Sequence, residues 1–171
     1  MADASSVNRR DFLKVAGAAA TAAAGCRSGE PAPEAAAALP SVSGDLCFMR
    51  ATDLAALIRA RTVSAREVMA AHLERIDRVN PKVNAIVAQL DNERCLALAD
   101  EADARAATGE TLPPLHGLPI AIKDLQPARG FRFTRGSPIY RDEVAAEDSV
   151  LVERLRNAGA ILIGKTNVPE F

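Results

Sequence analysis

Apolar positions begin to recur at helical spacing with Leu54, Leu57 and Ile58, which predicts a first helix that Thr52 can cap. A second start signal follows at Ser64-Ala65-Arg66-Glu67, a capping-box pattern in which the serine hydroxyl and the glutamate carboxylate satisfy opposite amide donors. Met69, His72, Leu73 and Ile76 then share one helical face, and Asn80-Pro81 is expected to end the helix. On that apolar face His72 reads as a packed or boundary histidine. Val83 to Leu90 is apolar and β-branched enough for a short strand, and Asp91 can cap a further helix running to about Ala107 before Thr108-Gly109 stops it. The acidic residues Asp100, Glu101 and Asp103, with Arg105, are expected on its solvated face.

Beyond that helix the pattern changes period. Pro113, Pro114, Gly117 and Pro119 exclude a helix, and Ile120 to Ile122 reads as a short buried strand with Lys123 at its C-terminal end. That is the end of an α/β strand where ligand-handling groups tend to sit. Gly130-Phe131-Arg132-Phe133-Thr134-Arg135-Gly136-Ser137-Pro138 is expected to form an ordered loop beside it. Asp148 can cap a helix holding Val152, Leu155 and Ala158, ended by Asn157-Ala158-Gly159, and Ala160 to Ile163 is the next buried strand. Two apolar strands separated by a loop and a helix predict a right-handed crossover in a parallel or mixed sheet, hence an α/β fold.

The N-terminus follows other rules. Asn8-Arg9-Arg10-Asp11-Phe12-Leu13-Lys14 places paired arginines before a mostly alanine stretch from Val15 to Gly25. This order resembles a twin-arginine export signal, which implies the twin-arginine export machinery as a partner. The stretch is too short and too weakly apolar for a membrane span, which needs about 20 residues. Ala23-Ala24-Gly25-Cys26 resembles a lipoprotein box with alanine at the usual leucine position, so Cys26 is a candidate lipidation residue and lipid anchor, against ordinary cleavage after a small-x-small run. From Arg27 to Leu39, with Pro31 and Pro33, the composition is that of a tether, and the folded part is expected to start near Ser41.

Composition narrows the function classes. With 21 basic and 22 acidic side chains the formal net charge is -1, and tryptophan is absent, so neither a nucleic-acid footprint nor a base-stacking platform is expected. Three cysteines, Cys26, Cys47 and Cys95, lack metal-ligand spacing, and the two histidines, His72 and His116, lie far apart. No metal or other cofactor is therefore expected, nor a serine-histidine triad within these residues. If Cys26 is lipidated or removed, Cys47 and Cys95 can bridge in an oxidising compartment, although Cys95 fits better as a small buried side chain. Gly159-Ala160-Ile161-Leu162-Ile163-Gly164-Lys165-Thr166 satisfies the phosphate-loop pattern GxxxxGK[ST], which would make the chain a nucleotide binder. That motif needs a loop between its glycines and a helix after its threonine. A strand in its middle and Asn167-Val168-Pro169 after it argue against both.

Three blocks in order carry a family resemblance: Leu115-His116-Gly117-Leu118-Pro119-Ile120-Ala121-Ile122-Lys123-Asp124, then Thr134-Arg135-Gly136-Ser137-Pro138, then Gly159 to Thr166 continued by Asn167-Val168-Pro169-Glu170-Phe171. The chain resembles the amidase signature family. The resemblance implies carboxamide hydrolysis, or ammonia transfer, by a relay of a nucleophilic serine, a second serine in a cis peptide, and a lysine that matches Lys123. Such a lysine must be neutral to accept a proton, which requires burial or neighbouring donors, and Ile120 and Ile122 are compatible with that. Ser137 does not match the nucleophile. In the family the segment bearing both serines follows the Asn-x-Pro-Glu-Phe block.

The resemblance thus implies the N-terminal part of a mixed-sheet amidase-signature fold, incomplete in this chain and inactive alone. It divides the chain into an export signal over residues 1–26, a tether over 27–50 and an amidase portion over 51–171. The expected substrate is a small-molecule amide, and the expected location is the periplasm or the outer side of the inner membrane. From a different class, an exported non-catalytic binding fragment would also lack the serines.

Overall fold

The computed structural model describes residues 39–42 and 44–170. The twin-arginine stretch, Cys26 and most of the proline-rich tether lie outside the described residues. A short 3-10 turn, Leu46–Phe48, opens the fold under an Asp45 cap, a second lies at Pro138–Tyr140, and the helices are α1 (Ala51–Arg59), α2 (Ala65–Val83), α3 (Asn92–Ala107) and α4 (Val150–Asn157). Three strands, β1 (Ile86–Gln89), β2 (Pro119–Lys123) and β3 (Ile161–Thr166), form one mixed sheet in the order β1-β3-β2. β3 runs parallel to β2 and antiparallel to β1. The parallel pair is joined through the long loop and α4, as the alternation of apolar strand, helix and apolar strand predicts.

The central strand is buried on both faces, which explains its unbroken apolar run. Ile161 and Ile163 pack with Leu54, Leu57, Ile58, Val68 and Met69 of the first two helices, and with Cys95 and Ala99 of α3. Leu162 points the other way, into a second cluster with Ile122, Ala128, Phe131 and Val152. Gly164 lies between the strands, where a β-carbon would come within 2.6 Å of the Ala88 carbonyl oxygen. Any side chain there would push β1 away.

Local signals account for most element ends, with four corrections. The capping box forms in full: Glu67 N donates to Ser64 Oγ at 3.0 Å, and Ser64 N donates to the Glu67 carboxylate at 2.8 Å. Thr52 does not cap α1, because the helix begins two residues earlier, at Ala51 after Arg50, whose guanidinium pairs with Asp53. Pro81 does not end α2, which continues to Val83 and stops at Asn84 in the left-handed region at φ 48°. Pro81 forgoes the bond that an N–H there would make to the Asp77 carbonyl, but the helix ends two residues later, and the Asn80 side chain exchanges two hydrogen bonds with the backbone of Ile86.

Asp148 does not cap α4. Ser149 does, accepting from Val152 N, while Asp148 holds the Arg129 amide and the Arg156 guanidinium. Asp103, expected in solvent, accepts from the Ala65 and Arg66 amides at 2.7 and 3.0 Å and so closes the first turn of α2 from α3. Orphan donors at a helix N-terminus favour a carboxylate there.

Cys47 and Cys95 are both free thiols. Cys95 is fully buried in α3, near the Leu90 carbonyl, and Cys47 donates to the Ala71 carbonyl of α2, so each sulfur is oriented by a backbone carbonyl. Burial is the main cause pushing both thiols above the ordinary cysteine range. His72 is half-buried with Nδ1 on the Val68 carbonyl, one turn back.

Candidate active site

Lys123 closes β2 opposite Thr166 of β3. Its predecessor Ile122 is buried in the second cluster, so alternation along the strand turns Lys123 away from that core. The side chain is exposed and has no ion-pair partner among the described residues. The apolar shelter expected from Ile120 and Ile122 is therefore not supplied by those residues. A cavity of about 310 Å³, lined by Met49, Leu54, His72, Leu118, Pro119 and Ile120, sits at the other end of β2.

The next residue is a sharp contrast. Asp124 is 1% exposed, and its carboxylate is the hub of a polar cluster. One oxygen accepts from Lys165 Nζ at 2.8 Å, and the other accepts from Thr134 N at 3.1 Å and Thr134 Oγ1 at 2.5 Å. Lys165 is 0% exposed, also donates to the Gln126 carbonyl at 2.8 Å, and lies 5.1 Å from the centre of the Phe133 ring. A buried charge must be paired and hydrogen-bonded, and both members here are.

A register shift brings these groups together. Ile120 pairs with Leu162, but Ala121 pairs with Gly164, so β3 spends one extra residue. Lys165 thereby lies opposite Ile122, on the side of Asp124 and Phe133. Bulges re-aim side chains in this way. The same strand geometry disposes of the phosphate-loop reading, since residues 161–166 are extended and no helix follows them among the described residues.

The loop after Asp124 is held by its own bonds. Gly130 N and Phe133 N reach across to the Ala145 and Glu143 carbonyls, and Ala145 N returns to Phe131. Arg135, at φ 54°, stacks over the Phe133 and Tyr140 rings and pairs with Glu143 at 2.7 Å. Ser137 is 2% exposed and donates to the Glu170 carboxylate at 2.6 Å while capping the turn at Ile139. A hydroxyl so committed and covered is no nucleophile, in keeping with its mismatch to the family pattern.

Sequence reasoning placed Lys123 but missed the roles of Asp124, Thr134, Lys165 and Glu170. One signal was available for Lys165. A lysine that continues the run Ile161-Leu162-Ile163 on a buried strand needs an acidic partner, and Asp124 directly follows the other apolar strand. Among the described residues no group of His, Cys, Asp and Glu side chains converges as a metal site requires.

Comparison with known proteins fits this fold and these blocks. The amidase family profile matches residues 67–171, and the twin-arginine translocation pathway signal profile matches residues 6–25. The chain belongs to the amidase family. It is 41% identical over 126 residues to an acylamidase of Rhodococcus erythropolis, covering 74% of this chain and 26% of that protein. It is 45% identical over 121 residues to an indoleacetamide hydrolase of Bradyrhizobium diazoefficiens, covering 71% and 23%. Among solved structures, the peptide amidase of Stenotrophomonas maltophilia matches with a TM-score of 0.64 at 32% identity, over 72% of this chain and 25% of that one.

The chain thus spans about a quarter of the length of these relatives, and its mixed sheet is a partial amidase-signature fold. The signal match supports export across the inner membrane. Among the described residues no helix is long and apolar enough to cross a membrane.

Proposed function

We propose that these residues form the N-terminal part of an exported amidase that hydrolyses a carboxamide C–N bond, with Lys123 as the base of a serine, cis-serine, lysine relay. The observation that carries this reading is the placement of Lys123. It is the exposed lysine at the strand end, free of any carboxylate among the described residues, whereas the neighbouring Lys165 is buried and neutralised by Asp124.

In the relay the neutral amine of Lys123 takes a proton from the bridging serine, which takes one from the nucleophile as it attacks the amide carbon. Backbone amides of a glycine-rich turn hold the oxyanion. The amine leaves with the returned proton, and water then releases the acid. The segment bearing both serines would also cover Lys123, supplying the desolvation that residues 39–170 do not. On this reading residues 1–171 alone do not hydrolyse amides.

The substrate is a small-molecule amide, since an export signal is at odds with an amidated tRNA handled in the cytoplasm. The product would work in the periplasm, or on the outer face of the inner membrane if Cys26 is lipidated. The test is hydrolysis by the full-length gene product across aryl, peptidyl and fatty amides. Hydrolysis of at least one class is expected, with loss in Lys123→Ala at unchanged melting temperature. Retention of most activity in that variant would remove Lys123 from the mechanism.

A further inference from the structure

Two stretches of this sequence have no task in the relay: Thr134-Arg135-Gly136-Ser137, and Glu170 in the segment that leaves β3. The structure joins them. Asp124, directly after Lys123, fixes Thr134 through two hydrogen bonds to one carboxylate oxygen. Thr134 Oγ1 in turn accepts from Gly136 N at 3.2 Å, and Ser137 N donates to the Thr134 carbonyl at 2.9 Å. Ser137 then donates to Glu170 at 2.6 Å, the length of a charge-assisted O–H···O⁻ bond. A continuous polar chain therefore runs from the strand end bearing Lys123 to the segment after β3.

Gly136 makes the contact close. It lies at φ 74°, and a β-carbon there would stand 2.7 Å from the Pro169 carbonyl oxygen and 2.8 Å from that of Val168. The turn thus lies directly on the backbone of residues 168–169. The anchor at the other end is rigid, because Lys165, which also donates to the Gln126 carbonyl, holds Asp124 inside the protein.

We propose that the Thr134–Ser137 turn is a clamp that sets the position of the segment after β3 relative to Lys123, with Asp124, Thr134, Ser137 and Glu170 as positioning residues. The clamp rests on geometry. Its effect on catalysis rests on the amidase reading. None of the four touches the reacting atoms in that reading. Their task is to bring the chain that follows Glu170 to Lys123 at hydrogen-bonding distance, where a misplacement of about 1 Å can cost on the order of 100-fold in rate.

The experiment uses the full-length gene product and four variants: Ser137→Ala, Glu170→Ala, Glu170→Gln and Gly136→Ala. Amide hydrogen exchange is the first readout. Release of the clamp should raise exchange in residues 134–137 and 167–170 together in Ser137→Ala, Glu170→Ala and Gly136→Ala, with α1 to α3 unchanged. Glu170→Gln should remain protected, because its amide oxygen still accepts from Ser137. Unchanged exchange in either segment overturns the clamp.

The second readout is kcat against KM, which should show a roughly 10- to 100-fold fall in kcat with KM within a factor of about two in the three released variants, and recovery in Glu170→Gln. If kcat is unchanged while Lys123→Ala is inactive, the positioning role is overturned and the amidase reading stands. If the wild type hydrolyses no amide, the amidase reading fails, and the exchange data alone decide for or against the clamp.

Discussion

The helical layer and the strand-end loop are stabilised by different physics, and their lysines and carboxylates show it. In α1 to α3 the apolar spacing does the packing, and polar groups serve the helix ends: Ser64 and Glu67 close one N-terminus locally, with Asp103 adding a clasp from α3. Around β2 and β3 the order is reversed. There the polar groups are interior, and Asp124 and Lys165 join elements 41 residues apart in sequence. Within that second region, two lysines on neighbouring strands have opposite fates. Lys123 is exposed without a carboxylate partner among the described residues, and Lys165 is sealed and paired. A lysine's chemistry is thus set less by its sequence neighbours than by which face of the strand it occupies.

The contrast is easiest to break with Lys123→Ala in the full-length gene product. On the proposed relay, losing the base should lower kcat by about 10² to 10⁴-fold, with the melting temperature unchanged, as read by steady-state kinetics beside thermal denaturation. Lys165→Met should do the opposite. It strands the Asp124 carboxylate in the interior, so destabilisation of about 3–5 kcal/mol is expected in denaturant melts. If Lys165→Met left stability intact, the buried pair would not anchor the turn.

Removing both charges sharpens the point. Asp124→Asn with Lys165→Met keeps an acceptor for Thr134 but leaves no unpaired ion, and should recover about 1–3 kcal/mol relative to Lys165→Met alone. A purely additive double variant would mean the two side chains do not depend on each other. The smallest effect belongs to the helical layer. The Ser64 amide and hydroxyl hold the Glu67 carboxyl below the usual carboxylate range. Its contribution is therefore complete above the unfolded value of about 4.3 and is lost as pH falls through the lower folded value. Glu67 is solvent-exposed, so the loss is slight. In paired urea titrations at about pH 6 and about pH 3, on either side of that range, Glu67→Gln should narrow the stability difference between the two conditions. An unchanged difference would deny the box its electrostatic part.

What could be read in advance follows the same division. The capping box, the buried face of α1, both strands of the parallel pair and the strand-end position of Lys123 depend on residues a few positions apart, so the sequence pattern contains them. Pro81 misled because a proline removes one hydrogen bond without always ending a helix, and contacts beyond it, such as those of Asn80 with Ile86, carry the last turn on to Val83. Asp103 and Asp148 misled because a carboxylate near one helix can serve another helix or a loop amide. For the Asp124–Lys165 pair the sequence offers a buried lysine in need of an acid but not the side it faces, because the extra residue in β3 decides that and nothing in the order of the amino acids announces a bulge.

The burial of Lys165 gives the protein a reporter of its own unfolding. Acylating reagents modify amines that they can reach, and among the described residues Lys82 and Lys123 are exposed while Lys165 has no accessible surface. Brief treatment of the folded protein with an N-hydroxysuccinimide ester, followed by peptide mass spectrometry, should mark Lys82 and leave the Lys165 peptide untouched. Across a denaturant series, labelling of Lys165 should rise along the same curve as the loss of ellipticity. The stability of the fold can then be followed in a crude extract, on a natural side chain, without an introduced dye. Early labelling of Lys165, ahead of that curve, would show that the strand-end region opens before the helical layer does.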